Sequence, residues 1–381
     1  MKILIAGDFV PRERVFEKIK KNDFADIFSQ LRPYIDQASY SILNLEAPIV
    51  LNPSKAKPIQ KVGPALSAPF ETIEAIRSAG FNCVTLANNH IMDYGAKALY
   101  DTISALDEKQ ILHVGAGRSL KDASRVLYLE AGLETVAIVN FCENEFSIAG
   151  DNSAGAFPLS IVKNYHQIQE AKEHANHVIV IVHGGHELYQ HPSPRMKELY
   201  RFFVEVGADA VINHHQHCYC GYEVYRGKPI FYGLGNLSFD LASRRNTIWN
   251  YGYFVMLSMG DNIVFDVFPF DQGLSFPGVK LQDRDEKKAF VSELKRLNDI
   301  IEDDNQLKLF FGEFVELKRS EMYYRLSSYH GRIIRFLSRH HVLKFKPNLQ
   351  RALRLSDLID CDSQRDLISC VLKSYSTNDQ D

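Results

Sequence analysis

Short apolar runs alternate with helically spaced apolar residues over the first 270 positions of the chain. Continuous apolar runs at residues 2–6, 40–45 and 83–87 predict buried strands, and the five β-branched residues at 178–182 predict another. Further strands are predicted at residues 111–114, 127–129, 135–141, 210–213, 229–234, 253–259 and 262–268, and helices at 24–31, 72–79, 95–109, 162–175 and 196–206. Strands that alternate with helices in this way predict an α/β fold.

The character of the chain changes after Gln282, where apolar strand-like runs give way to charged helical sequence. We therefore predict a main domain at residues 1–281 and a helical C-terminal region at 282–381, either a separate domain or a lid. Such a basic run has three interpretations: a solvated helical face, a contact with an anionic polymer or membrane surface, or an oligomer interface. Its basic residues are Lys318, Arg319, Arg325, Arg332, Arg335, Arg339, Lys344, Lys346, Arg351 and Arg354.

The composition is that of a globular protein, with 45% hydrophobic and 24% charged residues among 381. A net charge of −3 argues against a surface that binds nucleic acid globally. The six cysteines form no CxxC pair, which favours reduced thiols in a cytosol-type compartment.

No apolar stretch approaches the ~18 residues of a membrane span. The apolar run after Met1 is also too short for the core of a signal peptide. We therefore expect no membrane span and a cytoplasmic location.

Side chains that could bind a metal or move a proton follow five of the predicted strands. Ligands in open α/β sheets bind just beyond the carboxyl ends of strands, so these groups are expected to share one site. Each alone also has a structural interpretation, such as a helix cap, a surface acid or a core histidine. Oxygen and imidazole ligands suit Mn, Fe or Zn better than Ca or Mg. The groups are Asp8, Glu46, Asn89 with His90, His183, and His215 with His217.

The turn after residue 87 holds four side chains able to carry chemistry in the sequence Asn88-Asn89-His90-Ile91-Met92-Asp93. An asparagine oxygen can bind a metal, a histidine can donate a proton, and an aspartate can fix the tautomer of that histidine. The alternative is an asparagine-rich turn without catalytic function.

These motifs resemble those of the CapA-type family (capsule synthesis, poly-γ-glutamate type) within the calcineurin-like metallophosphoesterase superfamily. The resemblance covers roughly residues 1–270 in family order. The matching stretches are Gly7-Asp8, Asn44-Leu45-Glu46-Ala47-Pro48, Ala87-Asn88-Asn89-His90 with Asp93-Tyr94-Gly95, His113-Val114-Gly115-Ala116-Gly117, His183 with Glu187, His215-Gln216-His217, and Gly235-Asn236 through Phe239-Asp240.

The resemblance implies a two-sheet β-sandwich flanked by helices, with one or two divalent metal ions (Mn, Fe or Zn) at the strand ends. One metal would take Asp8, Glu46 and His217, and the second would take Glu46, Asn89, His183 and His215. His90 would protonate the leaving group, and Asp93 or a backbone carbonyl would orient its ring. Candidates for contact with the substrate, or for support of the metal ligands, are Lys61, His186, Glu187 and Asn236.

The chain departs from the superfamily pattern at several positions. Val10 replaces the usual histidine two residues after the first aspartate, and Glu46 replaces the bridging aspartate. Both changes are typical of the family, and they leave the first metal with few ligands. The stretch at residues 66–68 lacks the arginine that the family often has, and Gly184 stands where a tryptophan is common.

The expected function is that of a metal-dependent hydrolase in the biosynthesis of a capsular, anionic polymer. The bond cleaved would be a phosphoester or an amide, and the substrate would be the polymer or its precursor. One alternative is a metal-independent isomerase or epimerase on the same fold. Another is a non-catalytic partner of other capsule-synthesis proteins.

Overall fold

The computed structural model describes residues 1–325, 332–339, 342, 351–352 and 355. Its strands, in chain order, are β1 (Lys2–Phe9), β2 (Tyr40–Leu45), β3 (Cys83–Thr85), β4 (Leu112–Val114), β5 (Ala116–Gly117), β6 (Leu127–Ala131), β7 (Glu134–Cys142), β8 (Gly155–Ala156), β9 (His177–His183), β10 (Ala210–His214), β11 (Tyr222–Tyr225), β12 (Lys228–Phe231), β13 (Asn236–Ser238), β14 (Tyr251–Ser258), β15 (Val264–Gln272) and β16 (Val279–Leu281).

The α-helices lie between and after these strands. They are α1 (Glu13–Lys20), α2 (Arg32–Ile35), α3 (Glu71–Ala79), α4 (Gly95–Glu108), α5 (Leu120–Ala123), α6 (Ile161–His174), α7 (Pro194–Glu205), α8 (Arg284–Glu302), α9 (Asp304–Arg325) and α10 (Arg332–Arg339). Short 3₁₀ turns occur at Ser29–Leu31, Ala242–Arg244 and Ile248–Asn250.

Two large sheets carry the fold. The first has the order β16-β15-β14-β1-β2-β3-β4, with β13 pairing β1, and the second has the order β11-β12-β10-β9-β7-β6. The strands β1, β2, β3 and β4 run parallel in the first sheet, as do β7, β9, β10 and β12 in the second. The strands predicted at residues 127–129 and 135–141 form the antiparallel pair β6–β7, and those predicted at 253–259 and 262–268 form the antiparallel pair β14–β15.

Alternation along the central strands places one apolar layer between the sheets and one on each outer face. Ile3 and Ile5 of β1 share an apolar cluster with Ile179 and Ile181 of β9, whereas Leu4 packs in a separate cluster with helices α1, α3 and α4. The other face of β9 packs against α6 and α7. Each fully buried isoleucine stabilises the fold by about 1.5–3 kcal/mol. The predicted two-sheet α/β core flanked by helices is confirmed.

The α-helix predicted at residues 24–31 is wrong, although the residues expected to be buried there are buried. Ile27, Phe28 and Leu31 are all buried, yet the segment forms turns and a 3₁₀ helix at Ser29–Leu31. Conversely, the pattern did not predict α1, because its buried residues are only Val15 and Ile19 among charged neighbours.

The chain divides into two compact units, residues 1–308 and 309–381, whereas the change in composition predicted a boundary after residue 281. The difference arises because α8 packs against the first unit. Phe290 and Leu294 belong to the apolar layer between the sheets, and the Asn298 side chain accepts a hydrogen bond from Tyr222 N at 2.7 Å.

The basic run falls mostly on the second unit, and Lys344, Lys346 and Arg354 lie outside the described residues. In its described part, Lys318 pairs with Glu321 at 3.7 Å and Arg319 pairs with Glu316. Such pairs within one helix are typical of a solvated face, and the other two interpretations of the run stay predictions.

The described cysteines Cys83, Cys142, Cys218 and Cys220 are buried free thiols, and Cys361 and Cys370 lie outside the described residues. In the described part of the chain, no helix is both long and apolar enough to cross a bilayer.

Candidate functional site

The candidate ligands follow parallel strands of both sheets, and the structure brings them to one buried place. Asp8 lies near the end of β1, and its carboxylate accepts a hydrogen bond at 3.0 Å from the backbone N–H of His215, which follows β10. His183 ends β9 in the second sheet and reaches Asn89, which follows β3 in the first. The buried set comprises Asp8, Glu46, Asn89, His183, His215 and His217.

Three other ligand atoms lie around His183. Its Nε2 atom lies 3.1 Å from Asn89 Oδ1, 3.2 Å from His215 Nδ1 and 3.4 Å from Glu46 Oε1. Two ligands that each lie roughly 2.1 Å from one ion are themselves separated by about 3.0–3.4 Å. Each of these three separations from His183 Nε2 therefore matches a pair of ligands on one cation, although His183 is not part of the group of mutually close ligand atoms formed by Glu46, His215 and His217.

A second group of ligand atoms shares Glu46 and His215 with the first. Glu46, His215 and His217 each offer one ligand atom, and these atoms lie within 4.8 Å of one another. His217 Nδ1 lies 2.9 Å from Asn236 Oδ1, an acceptor, so Nδ1 carries the proton and Nε2 faces Glu46 Oε1 at 3.8 Å. Val10 is fully buried in the apolar core and supplies no ligand here.

Glu46 is the least satisfied polar group of the site. Among the described residues, neither of its buried carboxylate oxygens takes part in a hydrogen bond. Burial raises the pKa of Glu46 well above its usual value, and the nearby charge of Asp8 raises it further. A buried charge without a partner is costly, so this carboxylate fits a place beside a cation.

Lowered pKa values favour the neutral form, which ligates metals, in His183 and His217. Burial lowers the pKa of His183 well below its usual value, and the neighbouring His215 lowers it further. Burial also lowers the pKa of His217, although the charge of Asp8 opposes this effect. Neutral imidazoles around an unpaired carboxylate fit Mn, Fe or Zn.

His90 forms a separate group with Asp93 and Lys61 beside these ligands. Because the Asp93 carboxylate only accepts hydrogen bonds, His90 Nδ1 donates to it at 2.7 Å. Asp93 also accepts from Lys61 Nζ and, at 2.6 Å, from Leu66 N. His90 Nε2 is directed toward the candidate metal ligands, 4.0 Å from Glu46 Oε1.

The loop that carries His215 and His217 has a strained backbone, and hydrogen bonds of Gln216 hold it in place. His215 and His217 have φ angles of 91° and 54°, in the left-handed region that non-glycine residues rarely adopt. Between them, Gln216 Nε2 donates to Tyr189 O at 3.0 Å, and Gln216 Oε1 accepts from Asn213 at 3.3 Å. These contacts keep both imidazoles turned toward Glu46.

Asn44 is a site residue that our sequence analysis did not single out. It lies beside Asp8 in the β1–β2 register, is fully buried, and donates to Asp8 Oδ1 at 2.7 Å. The same amide nitrogen lies 3.2 Å from His183 Nδ1. Asn44 thereby fixes two candidate ligands, and its place two residues before Glu46 was the available signal.

The four predicted substrate contacts occupy different environments. Lys61 Nζ donates a hydrogen bond to Asp93 and lies 3.0 Å from His90 Nδ1. His186 and Glu187 are exposed, and the charge of Glu187 contributes to the raised pKa of Glu46. Asn236 is fully buried and uses its amide on His217 and on backbone carbonyls. This arrangement positions His217, one of the two roles predicted for Asn236, and its contact with the substrate stays a prediction.

An aromatic wall borders His217. The Trp249 ring lies 4.6 Å from the His217 ring and 4.8 Å from that of Phe239, and its Nε1 donates to Phe239 O at 2.7 Å. Trp249 is the single tryptophan of the chain. It is therefore a specific spectroscopic reporter of this site.

Gly184, which follows His183, leaves room for the Glu143 side chain. A Cβ atom at Gly184 would lie 2.7 Å from Glu143 Cγ. The Glu143 carboxylate accepts from Gly185 N at 3.1 Å and from Arg195 at 2.8 Å. An acid therefore takes the space that a larger residue at position 184 would fill.

Comparison with known proteins links the chain to capsule synthesis. The profile of the family described as bacterial capsule synthesis protein PGA_cap matches residues 2–241. The chain is 34% identical over 244 residues to the capsule biosynthesis protein CapA of Bacillus anthracis, a match that covers 62% of this chain and 59% of that protein. It is 30% identical over 290 residues to the PGA biosynthesis protein CapA of Bacillus subtilis, with 74% and 75% covered.

Among solved structures, a phosphatase from Mycoplasma pneumoniae superposes on the chain with a TM-score of 0.47 and 12% identity. That superposition covers 77% of this chain and 98% of the phosphatase.

Proposed function

Because the chain belongs to the bacterial capsule synthesis protein PGA_cap family, we propose that it is a metal-dependent hydrolase in capsule biosynthesis. Its substrate is an anionic polymer, or a precursor of one, and the bond cleaved is a phosphoester or an amide. Other capsule-synthesis proteins are its proposed partners.

The unpaired carboxylate of Glu46, buried among neutral histidines, supports the proposal most strongly. Glu46, Asn89, His183 and His215 would hold one Mn, Fe or Zn ion, and Asp8 and His217 would join Glu46 around a second. A cation there would act as a Lewis acid that polarises the phosphoryl or carbonyl oxygen of the substrate.

His90 supplies the proton that the leaving group needs. Asp93 holds its Nδ1–H, so Nε2 faces the site and delivers a proton to the departing oxygen or nitrogen. Lys61 compensates the charge of Asp93 and leaves that carboxylate in its accepting form. The roles parallel those of a histidine–carboxylate pair in general acid catalysis.

We expect purified protein to hydrolyse at least one member of a panel of phosphomonoesters, phosphodiesters and γ-glutamyl amides. Activity should fall at least ~100-fold after chelation and return with Mn²⁺, because the chemistry depends on the cation. The readout is product release. A His113→Ala variant is the control and should respond to chelation as the wild type does, because His113 pairs with Asp107 outside the site.

The alternatives predict other outcomes of the same assay. A metal-independent isomerase would keep its activity after chelation and would move a proton at carbon, visible as exchange with deuterated solvent. A non-catalytic partner would show no turnover on any substrate, and a His90→Ala variant would support normal polymer output. Either result would contradict the proposed hydrolase.

A further inference from the structure

Four arginines cluster where the ends of β1 and β13 lie side by side, next to the candidate metal centre. Two of them are used internally. Arg14 donates to both oxygens of the buried Asp240 at 2.7 and 2.9 Å. Arg245 lies 3.4 Å from Asp240 and 3.7 Å from Glu13. These two charges are therefore compensated within the fold.

The other two, Arg12 and Arg244, are available to a ligand. Within the described part of the chain, no carboxylate oxygen lies within 4.0 Å of either guanidinium group. The segments that carry them are in contact, because the Glu13 side chain accepts a hydrogen bond at 2.8 Å from Ala242 N. Two uncompensated cations thus lie on adjacent segments.

Arg244 is held in place at the aromatic wall. Its backbone is fixed in a 3₁₀ turn, where Arg244 N donates to Leu241 O at 3.0 Å and Thr247 Oγ1 donates to Arg244 O at 2.6 Å. Its guanidinium lies over Trp249, 5.6 Å from the ring centroid, and Trp249 in turn packs on His217. Stacking uses the face of the guanidinium and leaves its N–H edge free for a carboxylate.

An open groove of about 790 Å³ continues from Arg12. It is lined in part by Ser67, next to Leu66, whose backbone donates to Asp93. Other charged residues that line it are Arg14 and Lys18, together with the acids Glu13 and Glu17. The groove therefore carries charges of both signs.

We propose that Arg12 and Arg244 form a carboxylate-binding edge beside the candidate metal centre. This edge takes side-chain carboxylates of a polycarboxylate chain. The proposal rests on the proposed function and specifies its substrate class. It also gives a role to the two arginines of this cluster that lie near no carboxylate of the described residues.

The test is calorimetric titration of the full-length protein with a synthetic oligomer of γ-linked glutamate. We expect Arg244→Gln to raise Kd about tenfold and the Arg12→Gln, Arg244→Gln pair to raise it further, because each guanidinium contributes charge-assisted hydrogen bonds. The matched control is Arg226→Gln. Arg226 is an exposed arginine that also lies over an aromatic ring, 5.3 Å from Tyr225 at the edge of the second sheet.

Two results would overturn the carboxylate edge. In the first, Arg244→Gln and Arg226→Gln bind the oligomer as tightly as the wild type. In the second, Arg244→Gln weakens only the binding of inorganic phosphate, which would assign the edge to phosphate. Binding is measured without turnover, so loss of oligomer binding in Arg244→Gln supports the edge even if no hydrolysis is found. Unchanged binding in an active enzyme refutes the edge alone.

Discussion

Replacing Glu46 by Gln is expected to remove tight metal binding and, at the same time, to stabilise the metal-free protein. The amide keeps the shape of the side chain but removes the charge that would join the two candidate ligand sets. We expect metal affinity to fall at least ~100-fold. Loss of a residue that only hydrogen-bonds to a metal ligand costs about 10–100-fold, and loss of a ligand should cost more. Metal content after dialysis, measured by elemental analysis, gives the first readout.

Glu46→Gln should weaken metal binding but stabilise the metal-free protein, because burial raises the pKa of Glu46 in the folded protein. Consider pH values between the pKa of about 4.3 in the unfolded chain and the raised pKa in the folded protein. In this range Glu46 has lost its proton in the unfolded chain but keeps it in the folded protein. The stability of the metal-free wild type therefore falls as pH rises through that window, and Glu46→Gln lacks this loss. At neutral pH in chelator, the variant should melt a few degrees higher, since about 1 kcal/mol shifts Tm by roughly 2–4 °C.

Glu74→Gln is the matched control, because Glu74 pairs with Lys109 on the surface, away from the site. It should change neither metal content nor melting temperature. A Glu46→Gln protein that retains metal like the wild type would contradict the assigned role of Glu46. So would a variant that melts lower than the wild type in chelator.

A His90→Ala variant is expected to lose about 10²–10⁴ in kcat while keeping its metal. His90 does not belong to the ligand group around His183, so its removal affects proton delivery and leaves the cation in place. The loss should be largest for substrates with basic leaving groups, such as alkyl esters and amides. Nitrophenyl esters, whose leaving group departs without a proton, should lose far less.

The dependence on leaving group separates proton donation from a structural role. If His90→Ala lowered kcat equally for basic and for activated leaving groups, His90 would not be the acid. Asp93→Asn provides a second check, because an amide no longer holds His90 Nδ1–H as a carboxylate does. It should show the same leaving-group trend with a smaller amplitude.

The sequence predicted the fold well where apolar patterning and strand ends agree. The five β-branched residues at 178–182 and the apolar run at 2–6 both became central strands. The pattern was less informative at residues 24–31, because burial at helical spacing also occurs in turns packed on a sheet. Composition separated helix α8 from the main domain, although Phe290 and Leu294 on its apolar side belong to the layer between the sheets.

The candidate ligands could be predicted because each follows a strand whose end is visible in the sequence. The residues that position them could not. Asn44 lies within a strand, and only the register of β1 against β2 shows that it faces Asp8. Trp249 and Arg244 lie on 3₁₀ turns far along the chain from His217, so no local pattern links them to it.

Quenching of Trp249 fluorescence by Co²⁺ tests most directly whether the six candidate ligands form a metal centre. The ring of this single tryptophan lies 4.6 Å from that of His217. We predict saturable quenching in the wild type and its loss in a His183→Ala, His215→Ala variant, which leaves the His217–Trp249 pair intact. Equal or non-saturable quenching in both proteins would contradict the metal centre.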